Sequence, residues 1–178
     1  DATLAFFDTL SINTYWAKTR TTDVQGRDTS YKGSLGYNGD RYGANVEHLF
    51  IDEHFSPGVG FVRRPDLRKS FGSLRFSPRP TSIDWIRRLS WQGSYDYITD
   101  ASGTVETREA TGSFQIELEN SDRFSLFYTN TYDLLQQAFP IASDVTIPVG
   151  GYEFSNTRTS YSFGPQRRLS GSLSIEHG

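Results

Sequence analysis

The residues of this chain with the clearest chemical potential surround His54, which directly follows Asp52 and Glu53. These side chains could hold a metal ion, but ligands that are adjacent on one loop are poorly placed to surround it. A Ser–His nucleophile would need a serine near the imidazole, and the nearest, Ser56, stands in no catalytic motif. The sequence therefore predicts no catalytic residue, no metal site and no cofactor.

Composition excludes several classes of protein. The 178 residues suffice for one domain, which we assign to residues 1–178, and the absence of Cys rules out disulfides and thiol chemistry. A net charge of −3 offers no basic surface for nucleic acid. No stretch approaches the roughly 18 consecutive apolar residues of a transmembrane helix. Aromatic residues make up 15% of the chain, and they favour both strands and membrane interfaces.

The strongest pattern is an alternation of apolar and polar side chains between residues 88 and 132. Trp91, Gly93 and Tyr95 share one parity, and polar residues separate them. Because side chains on a strand alternate between its two faces, each such run predicts a two-faced strand. The runs are about ten residues long, against roughly five to six in most globular sheets. Long two-faced strands are typical of membrane β-barrels.

The connections between the predicted strands alternate in length. Short turns near residues 8, 39, 120 and 165 alternate with long loops at 20–28, 52–65 and 133–151 and a medium one at 99–104, and only the longer link 78–87 breaks the short side. Up-and-down membrane barrels have short turns on one side and long loops on the other, whereas a Greek-key sandwich has no reason to sort its loops. The sequence therefore predicts an all-β fold, an antiparallel up-and-down transmembrane β-barrel with about ten strands. Because the chain begins within a strand and ends at Gly178 without a terminal aromatic residue, we expect a segment of a larger barrel.

Two sets of side chains follow from this prediction. The polar parity would line the lumen, and its candidates are Ser90, Gln92, Ser94, Asp96, Glu109, Thr111, Ser113, Gln115, Glu117, Thr129, Thr131, Ser172, Ser174 and Glu176. The apolar parity would face lipid, and its candidates are Leu89, Trp91, Tyr95, Tyr97, Phe114, Ile116, Leu118, Phe124, Leu126, Tyr128, Leu169, Leu173 and Ile175.

Several local expectations accompany these strands. Asn38-Gly39-Asp40 predicts a hairpin turn with positive φ angles. The apolar parity changes between Tyr152 and Phe163, which predicts a bulge. Leu67 and Phe71 break the parity of their strand, so that strand contains either a bulge or an apolar patch on its lumen face. Residues 133–151 are predicted to be irregular.

The basic and imidazole side chains near strand ends have two interpretations. Arginine pairs occur at 63–64, 87–88 and 167–168. We expect them to extend from the membrane edge, and the alternative is contact with lipopolysaccharide phosphate or with a substrate carboxylate. His48 lies on the apolar parity of its strand and is expected beside Phe50 at the membrane interface.

Six blocks carry a resemblance to a known family: Leu10–Thr19, His54–Arg64, Leu74–Pro80, Ile86–Asp100, Pro140–Phe154 and Arg167–Glu176. They resemble the C-terminal outer-membrane barrel region of a large bacterial family catalogued as a domain of unknown function. Its members commonly carry a family-nine-like carbohydrate-binding module before the barrel. The loop Phe-Ser-Pro-Gly-Val-Gly-Phe-Val-Arg-Arg is the most specific block. The resemblance implies the outer membrane of Gram-negative bacteria and no established activity, and it carries over no catalytic residue.

The leading hypothesis is a non-enzymatic outer-membrane β-barrel protein with a role in pore formation and transport or in membrane anchoring. Its expected partners are outer-membrane lipid and a sugar-binding module or other subunits of one assembly, with no nucleic acid. One alternative is a soluble all-β glycan-binding module, whose aromatic side chains would cluster on one concave face. Another is a barrel enzyme acting on lipid or glycan, in which His48 or His54 meets a serine and a carboxylate.

Overall fold

The structure is a computed structural model that describes residues 1–20, 26, 28–57, 62, 64–142, 144–166, 168 and 170–178. Its strands are β1 (Ala2–Phe6), β2 (Leu10–Lys18), β3 (Thr29–Asn38), β4 (Tyr42–Ile51), β5 (Leu67–Phe76), β6 (Ile86–Thr99), β7 (Val105–Leu118), β8 (Arg123–Leu135), β9 (Phe139–Ala142), β10 (Val145–Ile147), β11 (Gly150–Ser162) and β12 (Ser172–His177). The described residues include no helix long and apolar enough to cross a membrane.

Ten of these strands form one antiparallel sheet, in the order β1-β2-β3-β4-β5-β6-β7-β8-β11-β12. Each strand pairs with its neighbour in the sequence, except that the small β9–β10 hairpin projects between β8 and β11. The all-β class and the antiparallel, ten-stranded, up-and-down order are confirmed. The sheet is open in the described chain, because β1 and β12 are its edges and do not pair with each other.

The sheet is a single layer, so its apolar side chains have no second layer to pack against. Ile86 is the one apolar side chain that is buried among the described residues. On the uncovered side of the sheet, Val46 is 59% exposed and Leu74 is 69% exposed. Domains normally bury an apolar sheet face against a second layer. Here one face of the sheet remains uncovered, and it is apolar on most strands, although β11 contributes Ser155, Thr157 and Thr159 to it.

The bulge predicted between Tyr152 and Phe163 is wrong. β11 pairs with β8 over its whole length without a shift in register. The parity change therefore reflects a change of face: Tyr152 and Phe154 lie on the face of the sheet that carries Thr131, whereas Tyr161 lies on the opposite face. β5 likewise pairs regularly with both neighbours, so Leu67 and Phe71 project from the same face as Asp96.

The primed turn predicted at Asn38-Gly39 is also wrong, although the hairpin itself forms. Neither residue has a positive φ angle. The turn closes through a hydrogen bond from the Gly39 N–H to the Tyr42 carbonyl, 2.9 Å long. The guanidinium of Arg75 on β5 donates to the carbonyls of Gly39 and Asp40 and to the side chain of Asn38. This contact from a neighbouring strand accompanies a turn that differs from the one that the local sequence favours.

The segment predicted to be irregular, residues 133–151, is mostly ordered into strands. β8 continues to Leu135, and Gly150 already belongs to β11. Between them, β9 and β10 form a two-stranded hairpin of their own. The proline at 140 is compatible with this pairing because an edge strand of a small hairpin can dispense with one N–H donor.

The β1–β2 turn uses residues that ordinarily avoid its geometry. Phe7 and Asp8 have φ angles of 52° and 55°, and the Thr9 N–H donates to the Phe6 carbonyl. Positive φ at two successive residues is the pattern of a primed hairpin turn, which prefers Asn and Gly. Phe7 is 92% exposed, so no packing of its ring offsets the unfavourable backbone conformation.

Replacing Phe7 with asparagine is expected to raise the free energy of unfolding by about 0.5–1 kcal/mol, because asparagine tolerates the left-handed region better. Urea unfolding of the folded protein in detergent micelles measures this change. Phe7→Ala is the matched control, since it removes the ring and keeps the unfavourable φ angle. Equal stabilities of the Asn and Ala variants would show that backbone conformation is not the cause.

Candidate functional site

One face of the sheet, here called the polar face, carries a continuous row of small polar side chains. The row crosses eight strands in register through Ser11, Gly36, Asn45, Ser73, Ser94, Thr111, Thr129 and Asn156. The lumen candidates share this face: Ser90, Gln92, Ser94, Asp96, Glu109, Thr111, Ser113, Gln115, Glu117, Thr129, Thr131, Ser172, Ser174 and Glu176. That this face lines a lumen stays a prediction.

The opposite face, here called the apolar face, holds the lipid candidates in register. They are Leu89, Trp91, Tyr95, Tyr97, Phe114, Ile116, Leu118, Phe124, Leu126, Tyr128, Leu173 and Ile175. Leu169 lies outside the described residues, and the last strand begins after it, at Ser172. Contact of this face with lipid stays a prediction.

A ladder of aromatic rings crosses the apolar face near the short turns. Tyr42, Phe76, Trp91 and Phe114 lie opposite one another on four successive strands. Neighbouring ring centroids are 5.2, 5.8 and 5.1 Å apart, in the range of favourable aromatic pairs. Such cross-strand pairs stabilise the register of the sheet.

A second aromatic row lies near the long loops. Trp16, Tyr31 and Phe50 are opposite one another on β2, β3 and β4, and the last two rings stack at 5.0 Å. On β4 the two rows stand eight positions apart, from Tyr42 to Phe50. That is roughly 26 Å along a strand at about 3.3 Å per residue, or roughly 20 Å of height in a barrel whose strands are tilted by about 40°. The apolar band of a membrane barrel is about 25 Å tall and has aromatic girdles on both sides.

The surface between the two rows is apolar and contains a shallow groove. Ala44, Leu74, Gly93 and Gly112 lie opposite one another in its floor. The groove has a volume of about 650 Å³. A Cβ atom at Gly112 would meet no atom within 4 Å, so the absence of side chains makes this part of the face concave.

Several charges of the polar face are paired across neighbouring strands. Lys32 contacts Glu47 at 2.7 Å, and Lys69 contacts Asp96 at 2.6 Å. These side chains are between 23% and 34% exposed, so water screens the pairs incompletely. The pairs make this surface polar without giving it a strong net charge. Such a surface suits contact with water and uncharged polar solutes.

The polar face also forms a concavity with a volume of about 850 Å³. Asn13, Lys32, Asn45, Glu47 and Arg75 contribute donors and acceptors to its lining. Aromatic side chains are concentrated on the other face. The clustered aromatic platform that a glycan-binding module would present is therefore not on this concave surface.

The three histidines do not assemble the site that the enzyme hypothesis requires. The Nδ1 atom of His48 lies 3.0 Å from the Ser70 hydroxyl on the apolar face. No carboxylate joins this pair among the described residues. His54 stays in its loop beside Asp52 and Glu53, and the described part of the chain has no group of three potential ligands placed to hold a metal ion.

Of the arginine pairs, Arg64, Arg87 and Arg88 make ion pairs within the protein, and no ion pair of Arg168 occurs among the described residues. Arg87 and Arg88 both contact Glu117, at 3.4 and 3.0 Å, because a bulge between Ile86 and Arg88 turns them toward the same carboxylate. Arg64 pairs with the buried Glu106. Positions 63 and 167, and the glycine loop at 58–60, lie outside the described residues.

Two carboxyls, one on exposed Asp40 and one on partly exposed Asp100, stabilise turns. A hydrogen bond from Arg79 holds the pKa of Asp40 below its usual value. The Ser102 hydroxyl and the Thr104 N–H lower the pKa of Asp100 in the same way. A depressed pKa means that each group stabilises its turn above the ordinary pKa of aspartate. This contribution is lost as the pH falls through the depressed value.

A buried carboxylate that sequence reasoning missed joins two short turns. Asp122 is 1% exposed and accepts hydrogen bonds from the Tyr161 hydroxyl at 2.8 Å and the Gly164 N–H at 2.7 Å. Asn120 donates to the same carboxylate. A Cβ atom at position 164 would come within 2.5 Å of the Asn120 carbonyl, so glycine is required for this close approach. The sequence signal was an Asx-type turn, which indicates local and not long-range bonding.

Comparisons with known proteins give no relative: no protein-family model, no curated protein and no solved structure matches this chain.

Proposed function

We propose that this chain forms the wall of an outer-membrane β-barrel and serves, without enzymatic activity, as a pore or a membrane anchor. The observation that carries the proposal is the uncovered apolar face, with one aromatic row near each of its ends, roughly 20 Å apart in height for tilted strands, somewhat less than the roughly 25 Å apolar band of a membrane barrel. A soluble protein rarely exposes so large an apolar surface. Surrounding lipid would cover it.

The proposal requires that the two edges of the sheet be paired, because unpaired strand edges do not occur within the hydrocarbon region. β1 and β12 are the first and tenth strands in the order of the sheet, so they run antiparallel and could complete a ring together. They could equally pair with further strands of a larger barrel. Both edges alternate in the required manner: Leu4 and Phe6 continue the apolar face at one edge, and Leu173 and Ile175 continue it at the other.

The polar face supports a pore more than a simple anchor. Small side chains in its central row leave space. Paired charges supply polar groups on the long-loop side of that row, through Lys32–Glu47 and Lys69–Asp96, and on its short-turn side, through Arg88–Glu117. In membrane barrels a polar interior of this kind lines water. The likeness of six sequence blocks to the barrel region of a bacterial domain-of-unknown-function family is in keeping with the same proposal, and membership of that family is part of it.

Fluorescence quenching by brominated lipids tests the proposal. The chain is refolded into phosphatidylcholine vesicles as a variant that retains Trp91 as its single tryptophan. We expect strong quenching by bromine near the headgroup and weaker quenching by bromine near the bilayer centre, because Trp91 belongs to an aromatic row. The matched control moves the indole to the next residue on the other face (Trp91→Phe with Gln92→Trp) and should escape quenching.

Three outcomes of this experiment separate the hypotheses. Quenching at position 91 and protection at position 92 supports the membrane wall, and conductance across a planar bilayer then distinguishes a pore from an anchor. Quenching at position 92 in place of 91 would contradict the assignment of faces. A chain that stays in solution as a folded monomer beside the vesicles would overturn the membrane proposal and favour the soluble module.

A further inference from the structure

The charged residues on the apolar face are confined to one end of the sheet. Among the residues whose register is described, they are Lys18, Arg68, Arg108 and Glu153. All four lie near the long loops, and three of them are cations. No charged side chain occurs on this face at the level of the aromatic ladder near the short turns, within the paired strands. The two ends of the apolar face therefore differ in charge.

Arg68 and Arg108 are held in the same way. The guanidinium of Arg68 lies over the ring of Phe50 at 5.4 Å, and that of Arg108 lies over the ring of Tyr132 at 5.6 Å. Stacking on a ring orients the planar group and leaves the N–H groups at its edge available. Phe50 and Tyr132 thus hold both guanidinium groups at the surface of the sheet, with N–H groups available to a ligand.

Arg68 and Arg108 form few ion pairs with the carboxylates of the protein. No carboxylate lies within ion-pair distance of Arg68 in the part of the chain that the structure describes. Arg108 approaches Glu153 at 3.7 Å, but the two side chains are 41% and 57% exposed, so the attraction between them is weak. In contrast, Arg87 and Arg79 near the short turns each contact a carboxylate.

We propose that Arg68 and Arg108 form a binding site for the phosphate groups of anionic lipid headgroups in the leaflet at the long-loop end. This inference rests on the proposed membrane location. A guanidinium matches phosphate oxygens with two parallel hydrogen bonds, and the aromatic rings beneath it suit the headgroup level. β5 and β7 are two strand spacings apart, roughly 10 Å, so the two arginines engage separate phosphates. Lys18, three strands from Arg68, lies on the same edge, but it contacts Asp28 at 3.6 Å and is not part of the proposed site.

Titration with short-chain phosphatidylglycerol tests this site on the full chain, folded in uncharged detergent micelles. We expect saturable binding of dihexanoyl-phosphatidylglycerol and little binding of dihexanoyl-phosphatidylcholine. The double variant Arg68→Gln with Arg108→Gln should weaken the affinity for phosphatidylglycerol by roughly 10–30-fold, because each arginine near a membrane surface raises the affinity for anionic lipid by roughly three- to fivefold. The control double variant, Arg123→Gln with Arg158→Gln, removes the same charge from the polar face and should leave the affinity unchanged.

Each contrary result has a distinct meaning. Unchanged affinity in the Arg68/Arg108 variant, or equal weakening in the control, would overturn the site. Competition by inorganic phosphate at equal concentration would identify a free-phosphate site and contradict the lipid assignment. A chain that inserts into phosphatidylcholine vesicles but does not discriminate phosphatidylglycerol refutes the inference and leaves the membrane proposal standing. A chain that fails to insert refutes the membrane proposal itself.

Discussion

Replacing Val46 with arginine is expected to lower the free energy of unfolding from phosphatidylcholine bilayers by about 2–4 kcal/mol. Val46 lies midway between Tyr42 and Phe50 on β4, at the centre of the band between the two aromatic rows. A charge at this position must leave water for hydrocarbon. The residues opposite it on the same face, Leu35 and Gly72, offer no hydrogen-bonding or charged side chain. The cost is therefore close to the maximum for a lipid-facing site.

The adjacent residue supplies the control. Asn45 precedes Val46 on the same strand and projects from the polar face, into the 850 Å³ concavity. Asn45→Arg introduces the same side chain one position away, and we expect it to change stability by less than about 1 kcal/mol, because water solvates the guanidinium there. Urea titration of both variants, followed by tryptophan fluorescence in the same vesicles, measures the difference.

This pair of variants also separates the membrane wall from a soluble module. Val46 is 59% exposed, and substitutions at exposed positions of a soluble protein usually change stability by no more than about 0.5 kcal/mol. A large penalty for Val46→Arg and a small one for Asn45→Arg therefore requires an apolar phase against the apolar face. Equal and small effects of the two variants would be incompatible with a membrane-facing β4.

The faces of the strands could be predicted from the sequence because they depend on local alternation. Trp91 and Gln92 alternate by the geometry of the strand alone, and the structure places them on opposite faces. The same logic failed for Tyr152 and Phe154. Their apolar character suggested a bulge, but the strand is regular and they stand on the polar face. Alternation along one strand cannot distinguish a bulge from an apolar patch on the polar face, because that distinction depends on the neighbouring strand.

The turns show why the remainder could not be predicted. Asn38-Gly39 favours a primed turn in isolation, but Arg75, 36 residues from Gly39, donates to the Gly39 carbonyl at 2.7 Å and accompanies a different turn. Asp122 and Gly164 are 42 residues apart, and nothing local to either residue indicates their hydrogen bond. Closure of the sheet is likewise a long-range property, since it depends on what pairs with β1 and β12.

Replacing Asp122 with alanine is expected to lower the free energy of unfolding by about 3–5 kcal/mol. The carboxylate is buried. It accepts hydrogen bonds from the Tyr161 hydroxyl, at the end of β11, and from the Gly164 N–H, in the turn that follows β11. Its removal leaves these donors without their acceptor, and each unsatisfied buried group costs about 1–3 kcal/mol. The turn after β7 and the turn after β11 would then lose their common anchor.

Two milder variants should destabilise the protein less than Asp122→Ala does. Asp122→Asn keeps the shape and one carbonyl acceptor, so it should cost only about 1–2 kcal/mol, and Tyr161→Phe, which removes a single donor, about 1 kcal/mol. Urea unfolding in detergent micelles ranks the three variants, and hydrogen exchange at the Gly164 N–H reports the local anchor directly. If Asp122→Ala were no more destabilising than Tyr161→Phe, or if exchange at Gly164 were not accelerated, the carboxylate would not be what holds the two turns together.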